Sequence, residues 1–476
     1  MNFASLQFAG FLALVLCLHG AMPTVRLQNW ALLAVSYYFY ACWDVRLLGL
    51  IWLVTGVTYG FSRALSRPDL TELHRRRLLQ ASLLFSLLVL GTFKYFDFFS
   101  SSLAALLSAF GWRTEPLLLH LLLPAAISFY TFESISYVVG AYKRDLTHQA
   151  SLPEYALFIA FFPKLVAGPI ERPNVLIPQL TKRRLATRQQ FSRGAFLILL
   201  GLCKKVAIAD GLAPFVSSVY DGAGPHSAAE VALATLAFAF QIYGDFSGYS
   251  DIARGCSLML GIELSWNFNV PYFSRDPSEF WRRWHISLSS WLRDYVYIPL
   301  GGNRGSEAKT YRNLVYTMLI GGLWHGAAWT FVAWGAFHGG MLAVHKALAP
   351  VLKVFNAHPR PWVRGVHAGV AWAAFFCLTC YGWLLFRASS LDQVLNMTST
   401  LLTGAGRGVS VNAPPLSALV GVPVLLAHDA WSYARGAHFA HESWPAWLRA
   451  ALYVALLTLI VMGAANSRSA FIYFQF

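Results

Sequence analysis

Residues 315–342 read VYTMLIGGLWHGAAWTFVAWGAFHGGML, a run without Asp, Glu, Lys or Arg. It is longer than the roughly 17–25 residues that a helix needs to cross a bilayer. Other apolar runs follow one another along the chain. They are Phe3–Met22, Leu27–Trp43, Leu47–Phe61, Leu78–Tyr95, Leu117–Gly140, Tyr155–Ala167, Ala195–Gly201, Ala228–Tyr243, Val370–Phe386, Leu416–Ala427 and Leu448–Ala464. The pattern predicts an all-α polytopic membrane protein with about ten to twelve spanning or re-entrant helices.

The composition excludes a soluble protein. Hydrophobic residues make up 57% of the chain and charged residues 12%, against about 25% charged residues in a soluble domain. No stretch between the apolar runs resembles a folded soluble insert, so residues 1–476 are expected to form a single membrane domain. The first run lacks a basic flank and a small-residue cleavage site, which favours a retained helix over a signal peptide.

The formal charge of +15 has a membrane explanation. In a soluble protein it would suggest nucleic acid, but cytoplasmic loops of membrane proteins collect Lys and Arg. We therefore expect a lipid bilayer as the environment and no nucleic acid partner. The dense clusters Arg63–Arg77 and Lys182–Arg188 are assigned to the cytoplasm, and counting helices back places the N-terminus outside.

The stretch Asp276–Asp294 predicts one amphipathic helix at the membrane interface. Asp276 or Ser278 is expected to cap it. The tryptophans fall on one face and the arginines on the other, and only Ile286 is out of phase. His285 points to the apolar side, where it is either a functional residue or a buried histidine satisfied by one backbone carbonyl.

His325 is the strongest functional candidate because it is an ionisable residue in the middle of an apolar span. Its imidazole exchanges protons near neutral pH, and the alternative is a histidine that packs between helices. His338 is expected to be structural. No carboxylate or cysteine completes a ligand set around these histidines, so no metal is expected, and Cys377 and Cys380 are expected only to pack.

The segment Tyr243–Asp251 superficially resembles a hydrolase serine block. A nucleophile elbow needs a strand before the serine and a helix after it, and neither is predicted here. Asp245 and Ser247 are instead expected to satisfy backbone groups in a bent, buried helix.

Five blocks of this chain resemble the membrane-bound O-acyltransferase (MBOAT) family, and they occur in the family's order. The resemblance is strongest to its bacterial branch, the membrane subunits of alginate O-acetyltransferase systems. The blocks are Phe162–Arg172, Asp245–Ala253, Phe280–Asp294, Tyr297–Asn303 and Gly322–Trp329. The resemblance implies a helical bundle around a central tunnel, with the catalytic core in residues 161–340. It also implies that His325 is the catalytic histidine and His285 its second histidine.

The same resemblance implies a reaction. Cytoplasmic acetyl-CoA would be the donor, with no permanently bound cofactor, and an extracytoplasmic polysaccharide the final acceptor. A periplasmic or membrane-anchored SGNH-type transferase would be the partner, at the bacterial inner membrane. Trp324, Lys164, Arg172 and Arg282 are candidates for substrate binding, although anchoring of the bundle at the cytoplasmic face also explains the three basic residues.

The tail Ser469–Phe476 is aromatic and resembles a C-terminal motif of the same branch. Tyr473 either carries the acyl group to the partner or belongs to an aromatic anchor at the interface. Two rival functions stay open from the sequence. A transporter or flippase of a polysaccharide precursor would favour broken-helix repeats in two halves, which are not visible. A lipid or protein acyltransferase of the same family would use a longer acyl chain.

Overall fold

A computed structural model describes residues 3–112, 114–166, 168–222, 224, 226–357, 359–404 and 413–464. The regular structure of these ranges is helical, and no strand occurs in them. The predicted all-α class is confirmed. The chain divides into two compact units, the first formed by Met1–Ile198 with Ile252–Ser265, and the second by Leu199–Asp251 with the chain from Trp266 onward.

The first unit begins with helices whose start points are set by hydroxyl side chains. Ser5, Thr24 and Thr71 each accept a backbone N–H of the first turn, as N-cap residues do. The helices are α1 Leu6–Ala21, α2 Val25–Ala41, α3 Leu47–Leu65, α4 Glu72–Leu90, α5 Phe96–Ala109, α6 Ile127–Lys143, α7 Leu152–Ala160, α8 Phe162–Leu165, α9 Pro173–Leu180 and α10 Arg188–Leu202. A π-helical turn, Gly91–Tyr95, joins α4 to α5.

The second unit holds the two histidine blocks. Its helices are α11 Asp210–Tyr220, α12 Ala228–Met259, α13 Pro277–Trp281, α14 Ile286–Leu292, α15 Glu307–His325, α16 Trp329–Asn356, α17 Pro361–Arg387, α18 Leu391–Thr403, α19 Leu416–Arg435 and α20 Ala446–Ala464. The last part of α12, from Ile252, belongs to the first unit. π-Helical turns at Cys203–Ala209 and Arg293–Tyr297 precede α11 and follow α14, and short 3-10 turns lie at Pro271–Phe273 and Ala440–Ser443.

Within the described ranges, four helical stretches are long and apolar enough to cross a bilayer by themselves: Leu47–Leu65, Glu72–Ala109, Pro361–Arg387 and Ala446–Ala464. On α4, Leu84, Leu87 and Leu88 are exposed. Exposed leucines on such a helix suit contact with lipid better than contact with water. The chain is therefore a membrane protein, and the other apolar runs form helices that are shorter or carry more polar residues.

The predicted helix over Leu117–Gly140 is wrong in its first half. Residues 114–124 carry no helix, and α6 begins only at Ile127. The carboxylate of Asp97 accepts the backbone N–H groups of Leu119 and His120 at 2.8 and 3.1 Å, which replaces the hydrogen bonds that a helix would make. Pro124 adds to this, since the residue before a proline disfavours the helical region.

Helices α15 and α16 form an antiparallel hairpin with backbones in direct contact. A Cβ at Gly322 would lie 2.2 Å from the Phe331 carbonyl oxygen, and a Cβ at Gly335 would lie 2.4 Å from that of Met318. Only glycine fits such an approach. The hairpin fixes the end of α15, and therefore His325, against the start of α16.

Candidate active site

His325 is the last residue of α15. The chain turns at Gly326, which has extended backbone, and α16 begins at Trp329. His325 therefore lies in the middle of the apolar run, as expected, but the run is not a single helix. The apolar run is two helices, and the histidine lies at the turn that joins them.

Aromatic rings enclose the His325 imidazole. Its ring centroid lies 5.0 Å from that of Trp324, 5.0 Å from that of Trp334 and 5.3 Å from that of Phe386. The side chain is buried. Because the enclosure excludes water, electrostatic interactions with a reacting group are stronger there than in solution.

His285 lies next to this enclosure. Its ring centroid is 6.1 Å from that of His325 and 5.4 Å from that of Trp324, and the residue is fully buried. Its ring also packs nearly at right angles to that of Phe246, with centroids 4.6 Å apart. Among the described residues, neither ring nitrogen of His285 has a hydrogen-bond partner. The backbone carbonyl partner of the structural alternative is therefore not found among the described residues.

The predicted continuous helix over Asp276–Asp294 is wrong, and the break explains how His285 turns inward. Helix α13 ends at Trp281 and α14 begins at Ile286, while His285 has a left-handed backbone with φ of 43°. Asn267 holds the break. Its carbonyl oxygen accepts the Ile286 N–H at 2.9 Å, and its Oδ1 accepts the Ser287 hydroxyl at 2.7 Å.

Other parts of that prediction are confirmed. Asp276 caps α13, since its Oδ1 accepts the Glu279 N–H at 2.7 Å. Trp284 and Trp291 are buried, whereas Arg282 and Arg293 are exposed. The signal of the break was present in the sequence, because Ile286 falls out of phase where the second helix begins.

His338 extends the same buried cluster from α16. Its ring lies 4.6 Å from Trp334 and 5.1 Å from Trp281, and it stacks on Phe280 at 6.1 Å. These contacts are those of a packing residue that supports Trp334, which in turn contacts His325.

The basic candidates have different surroundings. Arg282 is exposed at the turn between α13 and α14. Lys164 belongs to the first unit, where its ammonium forms a buried ion pair with Glu133. Arg172 caps α9 of the same unit, and its Nη1 donates to the Ser136 hydroxyl at 3.5 Å. Tyr473 lies outside the described residues.

Sequence reasoning missed a network of buried charges in the second unit. Lys205 Nζ lies 2.8 Å from Asp210 Oδ1 and 2.7 Å from Asp245 Oδ1, and Lys204 Nζ lies 2.7 Å from Asp251 Oδ2. Asp245, expected to satisfy backbone groups, thus forms an ion pair, and Ser247 Oγ, expected to do the same, has no hydrogen-bond partner among the described residues. The available signal was the pair of lysines in an apolar stretch, since charges at membrane depth are usually paired.

Comparison with known proteins identifies the family of this chain. The model of the family described as MBOAT, membrane-bound O-acyltransferase, matches residues 139–386, a range that includes both His285 and His325. A probable alginate O-acetylase of Pseudomonas putida is 38% identical over 474 residues, covering 95% of each chain.

The chain belongs to the membrane-bound O-acyltransferase family.

The names of further relatives of this MBOAT protein refer to different polymers. A probable alginate O-acetylase of Azotobacter vinelandii is 42% identical over 420 residues, covering 88% of this chain and 81% of that protein. A peptidoglycan O-acetyltransferase of Helicobacter pylori is 37% identical over 395 residues, covering 77% and 72%. The protein is an O-acyltransferase, and the transporter alternative is set aside.

Proposed function

We propose that this protein transfers an acetyl group from cytoplasmic acetyl-CoA toward the O-acetylation of an extracytoplasmic polysaccharide. The observation that carries the proposal is the pair of buried imidazoles, His325 and His285, with ring centroids 6.1 Å apart inside an aromatic enclosure. The names of the relatives support the acetyl group and a polysaccharide acceptor.

The reaction needs a base and an acid in turn. His325 accepts the proton of an attacking hydroxyl, and the hydroxyl oxygen bonds to the thioester carbonyl carbon. The carbon–sulfur bond then breaks, and the proton returns from His325 to the leaving thiolate to give coenzyme A. Imidazole suits both steps because it exchanges protons near neutral pH.

His285 has a second role in the proposal. Because its ring nitrogens make no hydrogen bond within the described residues, either can bind the thioester carbonyl oxygen or the attacking hydroxyl. Trp324 contacts both imidazole rings, and it forms a wall of the site against which the donor packs.

The proposed acceptor route runs through the tail. The phenol of Tyr473 attacks the thioester and becomes an acetyl ester, with His325 as the base it requires because the phenol is a weak acid with a pKa of about 10. A periplasmic or membrane-anchored SGNH-type transferase then moves the acetyl group to the polysaccharide. This route requires the protein to lie in the bacterial inner membrane, where the cytoplasmic donor and the extracytoplasmic acceptor approach from opposite sides.

Acetyl content of the polysaccharide, measured in cells that carry single variants, tests the proposal. His325→Ala is expected to abolish acetylation while the protein stays in the membrane at normal amount. His441→Gln, which changes a buried histidine outside the cluster, is the matched control and keeps acetylation. Acetylated product from the His325→Ala strain would reject the assignment.

Tyr473→Phe tests the route separately. It keeps an aromatic ring and removes only the hydroxyl, so the proposal predicts loss of polysaccharide acetylation with the protein still in place. Normal transfer by this variant would reject the acyl-carrier step and leave the role of His325 untouched.

A further inference from the structure

Two aromatic side chains, Trp334 and Phe386, form one side of the enclosure around His325. Their ring centroids lie 5.0 and 5.3 Å from that of the imidazole and 5.5 Å from each other. The three rings meet at angles between 71° and 82°, and edge-to-face pairs at such distances are in direct contact. We call Trp334 and Phe386 the back wall of the site.

The back wall lies away from the second histidine. Among the described residues, the ring of His285 contacts Phe246, Trp324 and His325, and it contacts neither ring of the back wall. Trp324 packs against both imidazoles. The imidazole of His325 therefore has His285 and Trp324 on one side and the back wall on another.

Further buried rings pack against the back wall. Phe386 contacts Phe331 and Trp383, with ring centroids 4.8 and 5.7 Å apart. Trp334 contacts His338, with centroids 4.6 Å apart. All five side chains are at most 4% exposed. A group that reaches the back wall from His325 therefore meets a closely packed aromatic core.

The hairpin turn holds part of this core in place. A Cβ at Gly326 would clash with the ring of Phe331, so that ring lies directly on the backbone of the turn. Protein interiors packed in this way contain few voids, and extra methylenes in them force side chains out of their preferred rotamers. The back wall therefore cannot make way for a longer group by a small shift.

The proposed reaction directs the acyl chain to this wall. The carbonyl carbon of the donor has its attacking oxygen at His325 and its carbonyl oxygen at His285. Its thioester sulfur leads to the rest of the donor, which packs along Trp324. The acyl chain is the remaining substituent, and the back wall is the remaining side of the enclosure.

We propose that Phe386 and Trp334 set the length of the acyl group and restrict the enzyme to acetyl, an inference that rests on the proposed function. A methyl group ends in front of the two rings, whereas each further methylene has to displace a buried ring. One methylene in an apolar pocket changes kcat/KM by about 10- to 200-fold. The same wall excludes the longer acyl chain that a lipid or protein acyltransferase of this family would use.

Donor selectivity of the purified full chain in lipid discs tests the inference. Initial rates of coenzyme A release give kcat/KM for acetyl-CoA, propionyl-CoA and butyryl-CoA. The wild type is expected to prefer acetyl-CoA over propionyl-CoA by about tenfold or more. Phe386→Ala is expected to raise the ratio of kcat/KM for butyryl-CoA to that for acetyl-CoA by about tenfold or more. Phe386 is the residue to vary, because Trp334 belongs to the hairpin that positions His325.

Two further variants make the test specific. Phe386→Leu keeps a smaller apolar side chain and disturbs packing less, and it is expected to improve the use of propionyl-CoA but not of butyryl-CoA. Phe375→Ala is the matched control, since Phe375 is a buried residue of the same helix whose ring lies 5.9 Å from Phe280. A general packing defect lowers the rates with all three donors alike, so Phe375→Ala keeps the wild-type ratios.

Three outcomes would overturn the inference. The first is an unchanged donor ratio in the Phe386 variants, with folding checked by thermal unfolding. The second is a ratio that rises equally in Phe375→Ala, which indicates general loosening of the core. The third is a wild type that uses butyryl-CoA as well as acetyl-CoA, because no restriction is then left to explain. If the wild type shows no saturable dependence on any acyl-CoA, the proposed function itself fails, and this result is distinct from the other three.

Discussion

The imidazole of His285 lies 6.1 Å, centroid to centroid, from that of His325, although the two residues come from different helical elements. His325 ends a helix and His285 precedes one. Each therefore lies where the chain turns, and both turns bring a polar ring into a buried aromatic cluster. The two side chains that can exchange protons therefore lie side by side in one buried cluster.

Substitution of His285 is expected to slow turnover without unfolding the protein. His285→Gln removes the second imidazole from the site, and we expect kcat to fall by about 100-fold, the usual loss for a proton-transfer group. The measurement is the initial rate of acetyl-CoA-dependent transfer by purified protein. His338→Gln is the comparison, because it is expected to lower thermal stability with a much smaller effect on kcat. Equal losses of kcat in both variants would contradict a role of His285 in proton transfer.

The break that turns His285 inward depends on Asn267. Asn267→Ala loses the Oδ1 contacts with the Ser287 hydroxyl and N–H at 2.7 and 3.3 Å, which costs about 1–3 kcal/mol of stability at a buried position. We expect lower kcat along with a lower unfolding temperature in detergent. Asn269→Ala, at an exposed position nearby, is expected to change neither. Wild-type kcat in the Asn267 variant would mean that the position of His285 does not depend on this side chain.

Replacing one member of the buried ion pair Lys204–Asp251 is expected to lower the free energy of unfolding. Lys204→Met leaves the Asp251 carboxylate buried without its ammonium partner, and loss of one member of a buried pair destabilises by about 3–5 kcal/mol. The double variant Lys204→Met/Asp251→Leu removes both charges, and its unfolding temperature is expected to lie closer to the wild type. A double variant less stable than the single one would contradict this account of the pair.

The close contact of α15 and α16 predicts a sharp difference between two glycines of one helix. Gly335→Ala places a Cβ at 2.4 Å from the Met318 carbonyl oxygen. We expect a loss of about 1–3 kcal/mol from overpacking, together with reduced activity as His325 is displaced. At Gly340 a Cβ meets nothing within 4 Å, so Gly340→Ala is expected to be neutral or slightly stabilising. Thermal unfolding of both variants checks this, and equal stability of the two would contradict the close packing.

The sequence predicted much of this protein because several of its signals are local. Apolar runs are long enough to indicate membrane helices, Asp276 stands where a helix cap is needed, and two histidines lie in apolar surroundings. The blocks around His285 and His325 also carried the family resemblance. These features depend on residues close to one another along the chain.

The rest depends on contacts between distant residues. The break at His285 is held by Asn267, eighteen positions earlier. The helical periodicity of the sequence does not indicate that contact. Lys204 forms an ion pair with Asp251, which lies 47 positions later in the chain. The hairpin turn at Gly326 divides an apolar run that is uninterrupted by charge, so the composition of the run does not indicate the turn.

The central claim is that His325 is the base of the acyl transfer. The most direct measurement compares kcat and KM for acetyl-CoA in purified wild type and His325→Gln, with folding checked by thermal unfolding. We expect kcat to fall by at least about 100-fold while the KM for acetyl-CoA changes little, because the imidazole acts on the reacting atoms and not on the rest of the donor. A folded His325→Gln protein that keeps the wild-type kcat would contradict it.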